Sequence, residues 1–251
     1  MKKRVGLFLG VPIVVLGSLL TASASAFGRT LLNDNMSGYR VGTCYAEGQS
    51  FGNFRDLFNG YGSACIVTGS NGRNQLDLQP QPSASPWEAH AALTATTSVF
   101  NSRAGYTLTV TSRTVRQLRT GSAPNPWEVG WVLWNYTDND HFYNVVLKPN
   151  GWEVDKEYVD SNGNQAQQFL VSGTSPTFPV GSAQDVVVVQ TVTGGVPTFL
   201  VQANVGGSLQ TLATVTDNGT SVSGPPYLSG RVGLYAEESE VQIASVRVTS
   251  P

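Results

Sequence analysis

Apolar and polar residues alternate with a period of two over most of the chain beyond residue 64, and no stretch repeats its apolar residues at helical spacing between caps. Successive strand side chains point to opposite faces. The pattern therefore predicts short strands at 65–68, 75–79, 88–94 and 106–111, separated by Asn-Gly, Pro-Ser and Asn-Ser turn clusters. Two hairpins follow within 127–158, and further strands are predicted at 167–171, 185–193, 198–203, 209–215, 231–235 and 241–248. About a dozen short strands joined by short turns predict an all-β fold, a two-sheet antiparallel jelly-roll sandwich. The run Asp-Val-Val-Val-Val at 185–189 reads as a strand buried on both faces. Segments 160–165 and 217–226 read as loops at a sandwich end. Residues 28–63, rich in Gly, Asn and aromatics without periodicity, read as irregular structure with one short strand.

The chemistry concentrates at 127–158, which holds Trp127, Trp131, Trp134 and Trp152, four of the five tryptophans. After the Pro149-Asn150-Gly151 turn, Glu153, Asp155 and Glu157 are spaced by two, so a strand points all three carboxylates to one face. Three acids in a row repel one another, and such a face is either solvated or used. Pairing Leu147 with Trp152 and Val145 with Val154 across the turn gathers apolar residues on one side, whereas a bulge at Gly151 would swap the partners. The first register predicts a core of Val129, Trp131, Leu133, Val145, Leu147, Trp152 and Val154. It predicts a substrate-binding groove lined by Glu128, Trp134, Phe142 and Asn144 beside the acid triplet. An aromatic ring next to carboxylates and an amide suits a sugar, whose C–H face packs on the ring while its hydroxyls take the polar groups. Lys156 falls on the face of Trp152 and Val154, which predicts a buried stem with the ammonium reaching the surface.

Location follows from the N-terminus. Lys2, Lys3 and Arg4 precede an apolar run and the small-residue segment ending at Ala26, the pattern of a secretory signal over 1–26 with a single domain at 27–251. Removing those three cations from the net charge of −2 leaves −5, which gives no basic surplus for nucleic acid. After cleavage no segment is long and apolar enough for stable membrane insertion. Secretion in turn predicts that Cys44 and Cys65, the two cysteines of the chain, form a disulfide.

The segment GWVLWNYTDNDHFYNVVLKPNGWEV at 130–154 and the closing GRVGLYAEESEVQIASVRV at 230–248 resemble secreted bacterial domains of the concanavalin A-like lectin and glucanase superfamily, in particular 3-keto-disaccharide hydrolase-type domains. The resemblance covers the chain from about residue 65 onward and concerns fold more than chemistry. It implies a concanavalin A-like jelly roll whose concave sheet receives a polysaccharide or oligosaccharide. The run from Glu153 to Glu157 also resembles the Glu-x-Asp-x-Glu strand of laminarinase- and lichenase-type retaining hydrolases. Carried over, Glu153 is the nucleophile, Asp155 its hydrogen-bonding partner and Glu157 the acid/base, provided that the carboxyls stand about 5 to 5.5 Å apart. Two functions therefore compete, a glycan-binding domain and a retaining glycoside hydrolase.

Other side chains add alternatives. Arg113, Arg116 and Arg119 would clamp an acidic sugar if grouped, which would favour a polysaccharide lyase. Asp138, Asn139 and Asp140 offer oxygen ligands suited to calcium, although a turn uses the same residues and three adjacent positions do not fill six to eight sites. Glu88 and His90 could form an acid/base pair on one strand face, and His141 stands at a loop edge. No serine-hydrolase elbow, phosphate loop or zinc-protease motif occurs in the sequence.

Overall fold

The computed structural model describes residues 28–101 and 104–251, so the signal segment at 1–26 lies outside the described residues. The described residues form strands β1 (Thr30–Asp34), β2 (Cys44–Tyr45), β3 (Ser50–Phe51), β4 (Phe54–Phe58), β5 (Ser63–Thr68) and β6 (Asn74–Gln79). Next come β7 (Ala91–Thr96), β8 (Phe100–Asn101), β9 (Tyr106–Gln117), β10 (Gly130–Asp138), β11 (His141–Lys148) and β12 (Gly151–Val159). The last are β13 (Gln165–Gly173), β14 (Ala183–Thr193), β15 (Val196–Val205), β16 (Ser208–Thr216), β17 (Ser229–Glu237) and β18 (Ser239–Thr249). They pair antiparallel into two sheets. Sheet I has the order β16-β15-β14-β9-β18-β6-β5-β2 with β1 on β18, and sheet II the order β13-β12-β11-β10-β17-β7-β4-β3 with β8 on β17. The chain crosses between sheets at β2 to β3, β4 to β5, β6 to β7, β8 to β9, β9 to β10, β13 to β14 and on either side of β17. This is the expected two-sheet jelly-roll sandwich.

One apolar cluster fills the space between the sheets. Val132, Trp134, Tyr143, Val145, Leu147, Trp152 and Val154 of sheet II meet Leu108, Val110, Val186, Val188, Phe199, Val201, Val246 and Val248 of sheet I. Burying this surface is the main stabilising term, roughly 25 cal/mol per Å² of apolar area.

Several boundaries differ from expectation, each for a physical reason. Residues 28–63 hold four short strands, of which β2 and β3 are two residues long and too short to show a period. β1 pairs with β18, joining the two ends of the domain through a contact that local pattern does not reveal. The strand expected at 88–94 starts instead at Ala91, because the backbone N–H groups of Ser83 and His90 are held by the Glu238 carboxylate at 3.0 and 2.5 Å. The valine run of β14 is buried on one face only. Val186 and Val188 are covered while Val187 and Val189 are half-exposed on the outside of sheet I. Cys44 and Cys65 are disulfide-bonded, tying β2 to β5.

Candidate functional site

Hairpin β11–β12 has the register that hydrophobic segregation favours: Leu147 pairs with Trp152, Val145 with Val154, Val146 with Glu153, Asn144 with Asp155 and Phe142 with Glu157. Gly151 closes the turn opposite Lys148 without a bulge, its φ of 140° being open to glycine. Three rows of side chains therefore cross the outer face of sheet II. One runs Leu93, Tyr235, Trp131, Val146, Glu153, a second Leu133, Asn144, Asp155, Phe169, and a third Phe142, Glu157, Gln167.

This face carries two adjoining cavities. The first, of about 460 Å³, is lined by Phe58, Leu93, Trp131, Leu133, Phe142, Glu157, Gln167, Tyr235 and Glu237, among others. Phe58 on β4 and Gln167 on β13 come from opposite sides of the sheet, so the sheet curves around the space. The second, of about 550 Å³, is lined by Trp127, Trp131, Lys148, Glu153, Gln167, Phe169 and Glu237. Trp131, Gln167 and Glu237 border both, making one continuous groove with Trp131 near its middle. The Trp131 indole N–H donates to the Trp127 carbonyl at 2.9 Å, and its ring lies 4.9 Å from that of Tyr235.

The acid triplet lies on this face, but it is not a solvated row. Asp155 is fully buried, and Glu153 and Glu157 are 6% and 7% exposed. Lys148 is ion-paired with Glu153. Burial, reinforced by Glu153 and Glu157, pushes the Asp155 carboxyl up to about 8, against opposing help from Lys148 and the Gln167 amide. Burial, with Glu237 and Asp140, pushes Glu157 up to about 7. Glu237 is also raised, by burial first, while it accepts the Tyr235 hydroxyl at 3.0 Å. Near neutral pH Asp155 is thus a protonated acid and Glu157 is close to half-protonation. Glu153 opens into the second cavity and Glu157 into the first.

Phe142, Asn144 and the triplet share the face expected of them, whereas Trp134 and Glu128 do not line the groove. Trp134 is fully buried between the sheets, 5.8 Å from the Tyr143 ring and 5.3 Å from Phe199. Trp131 and Leu133, expected between the sheets, point to the groove face instead, where Leu133 is buried in a second apolar cluster with Leu93 and Phe142. The segment from Trp131 to Trp134 is apolar on both faces and has no alternation to read. The turn carries the missing signal. Counting back from the closing pair Asp138–His141 puts Trp134 on the side of Val145, although Tyr136 turns to the face of Phe142 in the irregular stretch at Asn135 (φ 51°) between them. Glu128 is fully buried in an ion pair with Arg119 at 2.6 Å.

Tyr235, Glu237, Gln167 and Phe169 complete the groove and were not singled out from sequence. The first two could have been found from alternation in the closing segment, which places Arg231, Gly233, Tyr235 and Glu237 on one face of β17.

The arginines do not form a clamp. Arg113 donates to Gln242, Arg116 to Glu240, and Arg119 to Glu128 and to the carbonyls of Ser85 and Glu88. His90 does meet Glu88 at 3.1 Å, but in the turn preceding β7 rather than on a strand, and its other ring nitrogen faces the Gln81 carbonyl. Two side-chain oxygens of the 138–140 turn are engaged locally. Asp138 Oδ1 accepts from the Asp140 N–H and faces His141 Nδ1, and Asn139 Oδ1 accepts from Tyr136. Among the described residues no group of three or more His, Cys, Asp or Glu side chains is placed to hold a metal ion. Three adjacent turn residues with part of their oxygens engaged do not by themselves supply six to eight calcium ligands.

Lys156 does not reach the surface. It is fully buried, with Nζ 2.9 Å from Asp217 Oδ2, 2.9 Å from the Pro225 carbonyl and 4.8 Å from the centre of the Tyr227 ring. Tyr143 donates to the same Asp217 oxygen at 2.6 Å and accepts the Tyr227 N–H at 2.9 Å. The loop that joins β16 to β17 is thereby tied into the sandwich behind the groove.

No protein-family model and no curated protein sequence matches the chain. Among solved structures, the fold is similar to the winged bean acidic lectin in complex with methyl-α-D-galactose, at TM-score 0.52 and 11% identity, covering 87% of this chain and 98% of that one. It is also similar to the carbohydrate recognition domain of Emp47p, at TM-score 0.50 and 9% identity, covering 86% and 93%. The fold is therefore of the concanavalin A-like, legume-lectin type. At these identities the likeness concerns fold alone.

Proposed function

We propose that the chain is an exported carbohydrate-binding domain that holds a polysaccharide or oligosaccharide in the groove across sheet II. One observation carries this reading: Trp131, Tyr235 and Phe169 stand beside Glu153, Glu157, Glu237 and Gln167 along one continuous, curved surface. Ring faces take the apolar side of a pyranose, and the carboxyl and amide groups take its hydroxyls. The lectin and recognition-domain structures of similar fold support the same class of ligand. The secretory signal pattern at 1–26 and the disulfide agree with an extracellular glycan.

Hydrolysis is the second reading, because Glu157 near 7 is suited to a general acid. Binding is favoured over it, since Lys148 holds Glu153 in the second cavity while Glu157 faces the first. A retaining pair must flank a single bond. The resemblance to 3-keto-disaccharide hydrolase-type domains rests on sequence segments and adds no residue to this choice.

The test is affinity electrophoresis of the mature protein through β-glucans, galactans, arabinans, chitosan and uronic-acid polymers, with a parallel assay for new reducing ends. Retardation by at least one polymer, lost on Trp131→Ala and unaccompanied by new ends, is expected. New ends that vanish in Glu153→Gln and Glu157→Gln would replace binding with hydrolysis.

A further inference from the structure

We propose that the cavity between Phe58 and Gln167 receives a positively charged amino group of the ligand, so that the preferred glycan carries free amines. This rests on the glycan reading above and names the substrate class. Glu157 and Glu237 line the cavity, and among the described residues around it there is no Lys, Arg or His. The nearest cation on the groove face, Lys148, is ion-paired with Glu153 in the neighbouring cavity. With a neutral sugar the two acids are relieved by protonation and, for Glu237, by Arg119 from outside the cavity lining. An ammonium group supplies a counter-charge within the cavity.

The walls agree with the charge. The rings of Phe58, Trp131, Phe142 and Tyr235 border the same space, and a cation is attracted to aromatic faces as well as to carboxylates. The Tyr235 hydroxyl donates to Glu237 Oε2 at 3.0 Å and so orients one of the two acids.

The floor provides an independent observation. Asn144 and Asp155 lie in the row between Leu133, which lines the first cavity, and Phe169, which lines the second. Both are fully buried; the Asn144 Oδ1 and Nδ2 atoms lack a hydrogen-bond partner among the described residues, and Asp155 has only the Gln167 amide to oppose its burial. Unpaired buried polar groups are destabilising. Of these atoms Asn144 Oδ1 is an acceptor, lying beneath the groove floor rather than in its lining, and an ammonium carries three donors and no acceptor.

Calorimetry with three β-1,4-linked hexasaccharides of one backbone tests the proposal: the glucosamine hexamer with free amines, the N-acetylglucosamine hexamer and the glucose hexamer. The wild type is expected to bind the free-amine hexamer about tenfold or more tightly than the other two, the scale of one desolvated cation contact. Glu157→Gln combined with Glu237→Gln should abolish that preference, and Trp131→Ala should weaken all hexamers that bind. Because Glu157 sits near 7, capture of the amine as its ammonium should move protons among Glu157, the amine and the buffer, seen as a heat that varies with the ionisation enthalpy of the buffer. Thermal melts confirm that each variant is folded. Equal affinity for amine and acetylated hexamers, or a preference that persists in the double variant, would overturn the amine assignment while leaving glycan binding intact. Binding of none of the three, together with no retardation by any polymer, would overturn both.

Discussion

Asp155 is the residue at which the fold and the groove make opposing demands. The pleat points it outward beside Asn144, yet β13 covers it, and burial together with Glu153 and Glu157 raises its carboxyl to about 8. An acid whose folded value is raised binds its proton more tightly in the native state. Its contribution is therefore fully present below the unfolded value, falls as pH rises, and is lost once pH passes about 8. The melting temperature of the wild type is expected to fall between about pH 5 and pH 9, with one such group changing stability by about 1.4 kcal/mol per pH unit. Asp155→Asn should flatten the slope and be relatively most stabilising at the alkaline end. Glu157 and Glu237 titrate upward from their ordinary values too, so a residual slope should remain. Identical pH profiles for wild type and variant would show that Asp155 ionises freely. At this scale the sequence was informative about spacing and silent about cover. The two-residue spacing of the acids sets their common face, whereas their burial depends on where β12 sits in the sheet, between β11 and a strand, β13, that pairs with it later in the chain.

Among the elements, hairpin β11–β12 was legible and strand β10 was not, and the difference is physical. β12 alternates Trp152, Val154 and Lys156 with three acids, so a slip by one residue would put carboxylates in the core. β10 carries Trp131, Val132, Leu133 and Trp134 in succession because both of its faces are apolar, one toward the core and one toward the groove. The segment between β16 and β17 reads from sequence as a loop, and its anchor does not show there because it depends on Lys156 and Asp217, 61 residues apart. Burial acts first on the Asp217 carboxyl and would raise it, but hydrogen bonds from Tyr143, Lys156 and the Gly219 N–H outweigh burial and hold it below its ordinary value. That stabilisation is present at neutral pH and is lost as pH falls through the lowered value. Removing one partner of a buried pair leaves the other uncompensated, so Asp217→Ala is expected to lose about 3–5 kcal/mol in urea unfolding. Combining it with Lys156→Met should recover part of that loss. A single variant within about 0.5 kcal/mol of wild type would mean that the loop is not held by this pair.

For the whole molecule, the period-two pattern was enough to read the sandwich, but not the strand order. The order depends on pairings such as β1 with β18 and β9 with β18, which join distant parts of the chain. Those pairings give the two sheets different outer faces. The outside of sheet I is bordered by the half-exposed Val187 and Val189 of β14, whereas sheet II curves and gathers aromatic and acidic residues from six strands around one groove. Binding of a glycan should therefore be confined to one side of the molecule. Hydrogen–deuterium exchange with and without the best-retained oligosaccharide tests this most directly. Slower exchange is expected in β10 to β13 and β17, with β14 to β16 unchanged. Protection centred on β14 to β16, or none at saturating ligand, would contradict the assignment of the groove as the binding site.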